Sequence, residues 1–330
     1  MQQLEYKGTV IKECFFERKN INKFEAIFTQ GNGYLGIRNA LEEHYVGEIR
    51  DTFITGTFNK ASDEEVTELP NIADVSAVKI VVDGEEFSLT EGNIISYERY
   101  IDLSTGETQR RVEWKSKKGT KLNLVFRRFV SLDNEHIFVQ KIELLCDKDA
   151  NIIIESGIDG SVTNSGAMHF EDIQRRVFEG KYMEYIAKTT QSHVKVIQGA
   201  VCCLNKEAAV IPVMGRRTLA NRYSLKVNAN EKLEFEKKSI FFSERDKEFT
   251  HLEEEKRLEE IKKESAKLIR ELEELSYDEL FKRSESKWKE YFDKSKIDIG
   301  TDDNYIKTSI NFALYHLRIM VKADDNRVGI

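Results

Sequence analysis

Phe24-Glu25-Ala26-Ile27-Phe28-Thr29-Gln30-Gly31-Asn32-Gly33-Tyr34-Leu35-Gly36-Ile37-Arg38 places a Gly-Asn-Gly between two apolar runs. Glycine adopts positive φ freely, and asparagine tolerates it better than most residues. The backbone therefore turns sharply here and leaves room for something to approach it. A phosphate cradle would need a strand–GxxxxGK–helix context, which Gln30-Gly31-Asn32-Gly33 lacks. The pattern predicts a structural turn joining two strands of a β domain.

Outward from this turn, residues 1 to about 245 read as β. Lys79-Ile80-Val81-Val82 and Glu86-Phe87-Ser88-Leu89 flank Asp83-Gly84, a two-residue hairpin signal. Val112 and Trp114 alternate with charged residues, on what reads as a core face, and lead into a turn at Lys117-Lys118-Gly119. Leu122, Leu124 and Phe126 alternate along a strand whose far end is Arg127-Arg128-Phe129-Val130. Ile137–Leu144, Ile152–Ile154, Val194–Ile197 and Ser239–Phe242 continue the pattern. Many short strands between turns, with little helical periodicity, predict a mainly β fold: a large antiparallel β-sandwich.

Composition changes abruptly near Glu244, and from there to Lys296 the sequence is charged and free of glycine. Leu258, Ile261, Ser265, Leu268, Leu272 and Leu275 recur at spacings of three and four, the apolar seam of a long helix. Ser276-Tyr277-Asp278-Glu279 is a capping box and starts a second helix, with Tyr277, Leu280, Phe281, Trp288, Tyr291 and Phe292 along one side. The charge run is the solvated face of these helices. Asp298-Ile299-Gly300 ends the second helix, and Asp302 or Asp303 caps a third. Ile306, Ile310, Ala313, Leu314, Leu317 and Val321 make one apolar face of it, and Phe312, Tyr315 and Ile319 a second. A helix apolar on two sides belongs between other helices. Nothing after it in the sequence can bury it, so the sequence is expected to be truncated at its C-terminal end. The expected domains are a sandwich over 1–245, a helical linker over 246–296 and the opening of a further helical domain over 297–330.

Lysine plus arginine number 51 and aspartate plus glutamate 58, a formal charge of −7. That balance argues against nucleic acid or an anionic membrane as the main partner. Cys14, Cys146, Cys202 and Cys203 fit neither a zinc site nor a disulfide framework, and read as thiols in a reducing cytoplasm. Cys202 and Cys203 are expected on opposite faces of a strand. Met1-Gln2-Gln3-Leu4-Glu5 has no basic n-region or apolar h-region, and no apolar run reaches the roughly 18 residues of a membrane span. A cytoplasmic location is the expectation.

The opening stretch also carries a family resemblance. Gln30–Arg38, followed by Glu42-Glu43 and Arg50, resembles the N-terminal signature of the α-glucoside phosphorylases of glycoside hydrolase family 65, which include kojibiose, maltose, nigerose and trehalose phosphorylases. Gly56-Thr57-Phe58, Glu68-Leu69-Pro70-Asn71, Asp83-Gly84-Glu85, Tyr97-Glu98-Arg99, Asp102-Leu103, Gly106-Glu107 and Arg128-Phe129-Val130-Ser131 follow in order. Ala313–Met320 is similar to the first barrel helix of the kojibiose phosphorylase branch. The resemblance implies a galactose-mutarotase-like super-sandwich, an α-helical linker and the first helix of a truncated (α/α)6 barrel. It implies an inverting phosphorylase that uses inorganic phosphate as co-substrate, with no cofactor, on α-linked glucose disaccharides such as kojibiose or nigerose. It also implies a homodimer when full length. In the family the catalytic acid and the phosphate site lie on the barrel, past its first helix, so no catalytic residue is assigned here.

Within the chain, Glu64, Glu65, Glu68, Asn71 and Asp74 gather around Pro70. They either rim a sugar site or form a polar loop between strands. His316 is either a ligand or a packed core histidine. Glu68, Asn71 and His316 are the candidate substrate-binding residues. No metal site is expected, because the histidines are scattered and no His-x-x-x-His pair occurs. There is no Gly-x-Ser-x-Gly elbow. The pairs Arg127-Arg128, Arg175-Arg176 and Arg216-Arg217 point to opposite faces of their strands, so none makes a single phosphate clamp. The alternative reading is a non-catalytic carbohydrate-binding or dimerisation module.

Overall fold

The computed structural model describes residues 3–323, 325 and 327. Residues 324, 326 and 328–330 of the expected helical domain lie outside the described residues. Strands β1 (Leu4–Lys7) and β2 (Val10–Glu13) precede helix α1 (Ile21–Ile27). The short strands β3 (Gln30–Gly31), β4 (Leu35–Ile37) and β5 (Thr52–Ile54) follow, then the hairpin β6 (Val78–Val82) and β7 (Glu85–Glu86). Long strands come next: β8 (Asn93–Asp102), β9 (Glu107–Lys115), β10 (Lys121–Val130), β11 (Ile137–Cys146) and β12 (Ala150–Asp159). They continue as β13 (Phe170–Phe178), β14 (Tyr182–Thr189), β15 (Lys195–Leu204), β16 (Ala209–Gly215), β17 (Thr218–Val227) and β18 (Leu233–Ser243). Helices α2 (Glu254–Glu273), α3 (Tyr277–Ser295) and α4 (Asn304–Met320) complete the chain.

Every strand pair among the described residues is antiparallel. A ten-stranded sheet runs β1-β2-β8-β9-β10-β11-β18-β15-β14-β13, and a five-stranded sheet runs β16-β17-β12-β6-β7. Strands β3-β4-β5 form a small third sheet. The period of two decides the layers. Val112, Trp114, Leu124, Phe126 and Ile142 of the large sheet share one core with Ile80, Val82, Ile152 and Ile154 of the smaller one. Val139, Ile186, Ile197 and Ile240 point the other way and meet Ile261, Ile269 and Leu272 of α2 and Tyr277 and Leu280 of α3. The large sheet is therefore covered on both faces, which is why Ile137-Phe138-Val139 is unbroken apolar sequence.

The local signals read from sequence hold. Asp83 and Gly84 have φ of 49° and 81° and close the β6–β7 hairpin at Val82↔Glu85. Ser276 Oγ accepts from the Glu279 amide and completes the capping box of α3. Asp303 Oδ1 accepts from the Tyr305 amide at 2.8 Å and the Ile306 amide at 3.3 Å. Cys202 is buried on the core side, whereas the Cys203 thiol faces the Glu273 carbonyl of α2. All four cysteines are free.

Two expectations change. The apolar run before the Gly-Asn-Gly is a helix, α1, and only Gln30-Gly31 beyond it is strand. Ile21, Phe24 and Phe28 recur at helical spacing and bury one face, a periodicity that outweighs the β reading. The last helix also finds a partner within this chain. Tyr315 and Ile319 are buried with Phe24, Phe28, Ile101, Leu103 and Trp288, and the Trp288 and Tyr315 rings stack at 5.2 Å. Its other face stays open: Leu317 is 60 % and Met320 59 % exposed.

Candidate functional site

The Gly-Asn-Gly turn is the joint where the two ends of the chain meet. Gln30 leads into it, and its Nε2 donates to the Gly106 carbonyl at 2.7 Å and the Arg128 carbonyl at 2.8 Å. Asn32 Nδ2 donates to the Ser131 carbonyl at 2.8 Å and the Glu135 carbonyl at 3.0 Å. Asn32 Oδ1 accepts from the Tyr34 and Leu35 amides, so the turn is closed from within. Gly33 has φ +94°, and a Cβ there would sit 2.1 Å from the Val321 carbonyl oxygen. What approaches this backbone is thus the segment leaving α4. Arg318 Nη1 seals the contact by donating to the Asn32 carbonyl at 3.1 Å. The turn's polar side chains are committed to the fold, and the Asn32 amide donates to the Leu35 carbonyl at 3.1 Å.

Behind the turn lies a buried ion network that sequence reasoning did not find. Arg110 donates to Glu43 Oε1 and Glu42 Oε2, each at 2.7 Å. Arg128 Nη1 lies 3.4 Å from Glu42 Oε1, and Arg128 and Arg99 both donate to Asn39 Oδ1. Burial penalises a charge on Glu42, but Arg110, Arg128 and Arg99 outweigh it and hold its pKa below the ordinary value. Burial, with Arg99 and Arg110 adding to it against Glu42, lowers Arg128 to about 10. The Arg127-Arg128 pair splits as expected, since Arg127 faces Glu107 and Asp278 on the helical side.

The three candidate residues do not form one site. Asn71 is buried: its Oδ1 accepts from the Thr52 amide and its Nδ2 donates to the Arg50 carbonyl, each at 2.8 Å. It lines a cleft of about 610 Å³ with Arg38, His44, Glu48, Arg50 and Asp51. Glu68 Oε1 meets His169 Nε2 at 2.9 Å, while His169 Nδ1 lies 3.1 Å from Asn59 Nδ2. Nδ1 therefore accepts and Nε2–H donates to Glu68, which ties the loop to the sheet. His316 sits on α4 against Phe312, ring centroids 4.2 Å apart, with Nε2 buried and unpartnered. Burial lowers its pKa, as for a packed, neutral imidazole. Among the described residues no hydrogen bond, ion pair or ring contact joins His316 to Glu68 or Asn71. Among the described residues, one group of metal-ligand type, His136, Asp246 and Glu248, is assembled by the fold from distant positions.

Residues 11–291 match the family described as glycosyl hydrolase family 65, N-terminal domain. The chain belongs to glycosyl hydrolase family 65. The family span takes in the five-stranded sheet, the ten-stranded sheet apart from β1 and the first residue of β2, α2 and most of α3. The chain is 37 % identical over 338 residues to kojibiose phosphorylase of Halothermothrix orenii, covering 99 % of this chain and 42 % of the relative. It is 30 % identical to kojibiose phosphorylase of Escherichia coli, covering 98 % of this chain and 42 % of the relative. Nigerose phosphorylase of Lachnoclostridium phytofermentans is 24 % identical, covering 92 % of this chain and 41 % of the relative. A solved structure described as a kojibiose phosphorylase from the human microbiome superposes with a TM-score of 0.85 at 18 % identity, covering 96 % of this chain and 42 % of that one. This family-65 chain thus spans about 42 % of the length of these two kojibiose phosphorylases. Among the described residues no helix is long and apolar enough to cross a membrane.

Proposed function

We propose that this chain is the N-terminal part of an inverting disaccharide phosphorylase. In the whole enzyme, phosphate attacks the anomeric carbon of an α-glucoside such as kojibiose while a glutamic acid protonates the leaving oxygen. The products are β-glucose 1-phosphate and a sugar. A raised-pKa acid and an anion site are what such chemistry requires. The observation that carries the reading is the 37 % identity to a kojibiose phosphorylase across 99 % of the chain. In this reading residues 1–245 are the sandwich, 246–296 the linker and 297–330 the opening of the (α/α)6 barrel. The exposed apolar edge of α4, with Ile306, Leu317 and Met320, supports that assignment as a seat for further barrel helices. The catalytic acid and phosphate site belong to those later helices, and residues 1–330 alone are inactive. The whole protein is read as a cytoplasmic homodimer whose partners are an α-linked glucose disaccharide and phosphate.

The alternative of a carbohydrate-binding module has less support. Such modules present aromatic platforms, and both Trp114 and Trp288 are fully buried. Incubating purified residues 1–330 with kojibiose, nigerose or maltose and phosphate is expected to release no glucose 1-phosphate. The polypeptide extended through the downstream reading frame is expected to release it, fastest from kojibiose. Product from residues 1–330 alone overturns the assignment as a non-catalytic part, and heat on titrating kojibiose into them favours the carbohydrate-binding alternative.

A further inference from the structure

The loop between β10 and β11 meets the corner between β18 and α2 at His136, Asp246 and Glu248. One donor atom from each lies within 4.8 Å of the other two. His136 Nδ1 is 2.7 Å from the Phe241 carbonyl oxygen. A carbonyl only accepts, so Nδ1 carries the proton and Nε2 keeps its lone pair in the neutral ring. Nε2 then faces Glu248 Oε1 at 3.0 Å. Two lone-pair groups at that distance need a cation between or beside them. A backbone carbonyl on the far nitrogen is also the arrangement that orients metal-bound histidines.

Asp246 supplies the second, independent observation. It is 4 % exposed, and its Oδ1 is buried without a hydrogen-bond partner. Its Oδ2 accepts from the Ser243 amide at 2.7 Å and the Tyr34 hydroxyl at 3.0 Å, and lies 4.0 Å from His136 Nδ1. Glu135 approaches Nε2 at 4.0 Å and is paired with Lys322. Lys322 also lies 5.1 Å from the Tyr34 ring centroid. Asp246 and Glu248 also face this corner, where Lys322 acts on Glu248, Arg327 on both, and burial pushes Asp246 up to about 7. A proton on His136 serves Glu248 alone, whereas a divalent cation would engage both carboxylates. A cleft of about 500 Å³ opens onto His136 and Glu248, rimmed by Glu260, Glu264 and Glu271 of α2, with His251 and Lys267 alongside. Its carboxylates outnumber its cations, which favours entry of a cation.

We propose that His136, Asp246 and Glu248 bind a divalent transition-metal ion of the zinc class. One imidazole nitrogen with two carboxylates suits zinc better than magnesium or calcium, and water completes the shell. The ion pins the Ser243–Phe249 corner, where the helical arm leaves the sheet, to the β10–β11 loop. Through the Tyr34 hydroxyl it also reaches the Gly-Asn-Gly turn.

The test is calorimetric titration of Zn²⁺ into EDTA-treated, dialysed chain, with Mg²⁺ in parallel and Co²⁺ for its visible spectrum. One equivalent of Zn²⁺ is expected to bind and raise the melting temperature, with Mg²⁺ inert. Glu248 is half-exposed, so Glu248→Gln keeps the metal-free melting temperature and weakens binding tenfold or more. His136→Gln abolishes binding and the Co²⁺ visible bands. Absence of stoichiometric Zn²⁺ binding overturns the proposal. So does binding that Glu248→Gln and His136→Gln leave unchanged, which places the ion elsewhere, or a site that takes Mg²⁺ in preference.

Discussion

Replacing Gly33 with alanine tests whether the Gly-Asn-Gly turn is shaped for the segment that leaves α4. The residue has φ +94°, where an L side chain costs roughly 1–3 kcal/mol in backbone strain. The added Cβ would lie 2.1 Å from the Val321 carbonyl oxygen, 2.5 Å from its carbon and 2.9 Å from the Lys322 nitrogen. These are backbone atoms, so the segment must move as a whole. Moving it takes away the Arg318 bond to the Asn32 carbonyl and loosens Ile319, whose burial contributes about 2 kcal/mol. The penalty is capped by the cost of undocking the end of α4, since undocking removes the clash. A total of about 3–4 kcal/mol corresponds to a rise in local opening of roughly a few hundredfold, at about 1.4 kcal/mol per factor of ten. Hydrogen exchange followed by mass spectrometry over residues 312–323 reads this directly. Gly36→Ala is the control, because its Cβ meets nothing within 4 Å and its φ is not positive. It is expected to be neutral or slightly stabilising. Unchanged exchange in Gly33→Ala, or an equal effect in Gly36→Ala, would refute the reasoning.

Other outcomes follow from the same structure. Arg110→Met strips Glu42 and Glu43 of their shared partner inside the sandwich, and urea unfolding should register a loss of about 3–5 kcal/mol; less than 1 kcal/mol would mean that water reaches the network. Lys237 is fully buried, donating to the Val75 carbonyl, Ser156 Oγ and the Gly157 carbonyl, and burial lowers its pKa from 10.5 to about 8. Between these values the unfolded chain holds a proton that the folded one has released, so stability rises with pH across that window by about 3 kcal/mol; Lys237→Met should flatten the slope measured by denaturant titration at each pH. Tyr315→Ala removes the ring stacked on Trp288 and should cost about 3–5 kcal/mol, whereas Tyr315→Phe loses only the bond to the Thr29 carbonyl, about 1 kcal/mol; equal losses would place the helix's hold in the hydroxyl. Asn71→Ala leaves the Thr52 amide without its partner and should cost about 1–3 kcal/mol in thermal unfolding.

The features legible in the sequence are those decided by neighbours along the chain. Asp83-Gly84 names its hairpin because only two residues must take positive φ. Ser276 and Glu279 name a helix start because each satisfies the other's backbone across three residues. Alternation from Val112 to Phe126 exposes the core face because strand geometry has period two. Helix α1 is equally legible in Ile21, Phe24 and Phe28, but the glycine turn beside them masks their spacing. The ordered motifs carry the family, since each marks a turn or strand end with its own local requirement.

The candidate site is not legible in this way. Glu68 finds His169 at a separation of 101 residues, and His136 finds Glu248 at 112. Arg110 finds Glu42 at 68. No spacing rule covers such pairs, because the order in which the strands lie in the sheets sets who meets whom. Sequence by itself determined the β-sandwich, the helical arm, the caps and the family. Only the tertiary structure decided that Asn71 serves the fold, that one face of α4 rests on α1 and α3, and that three ligand-type side chains converge at the root of the arm. The physical reason is one of range. Turns, caps and periodicity are satisfied within a few residues, whereas a buried charge is satisfied only by whatever partner the packed sheets bring to it.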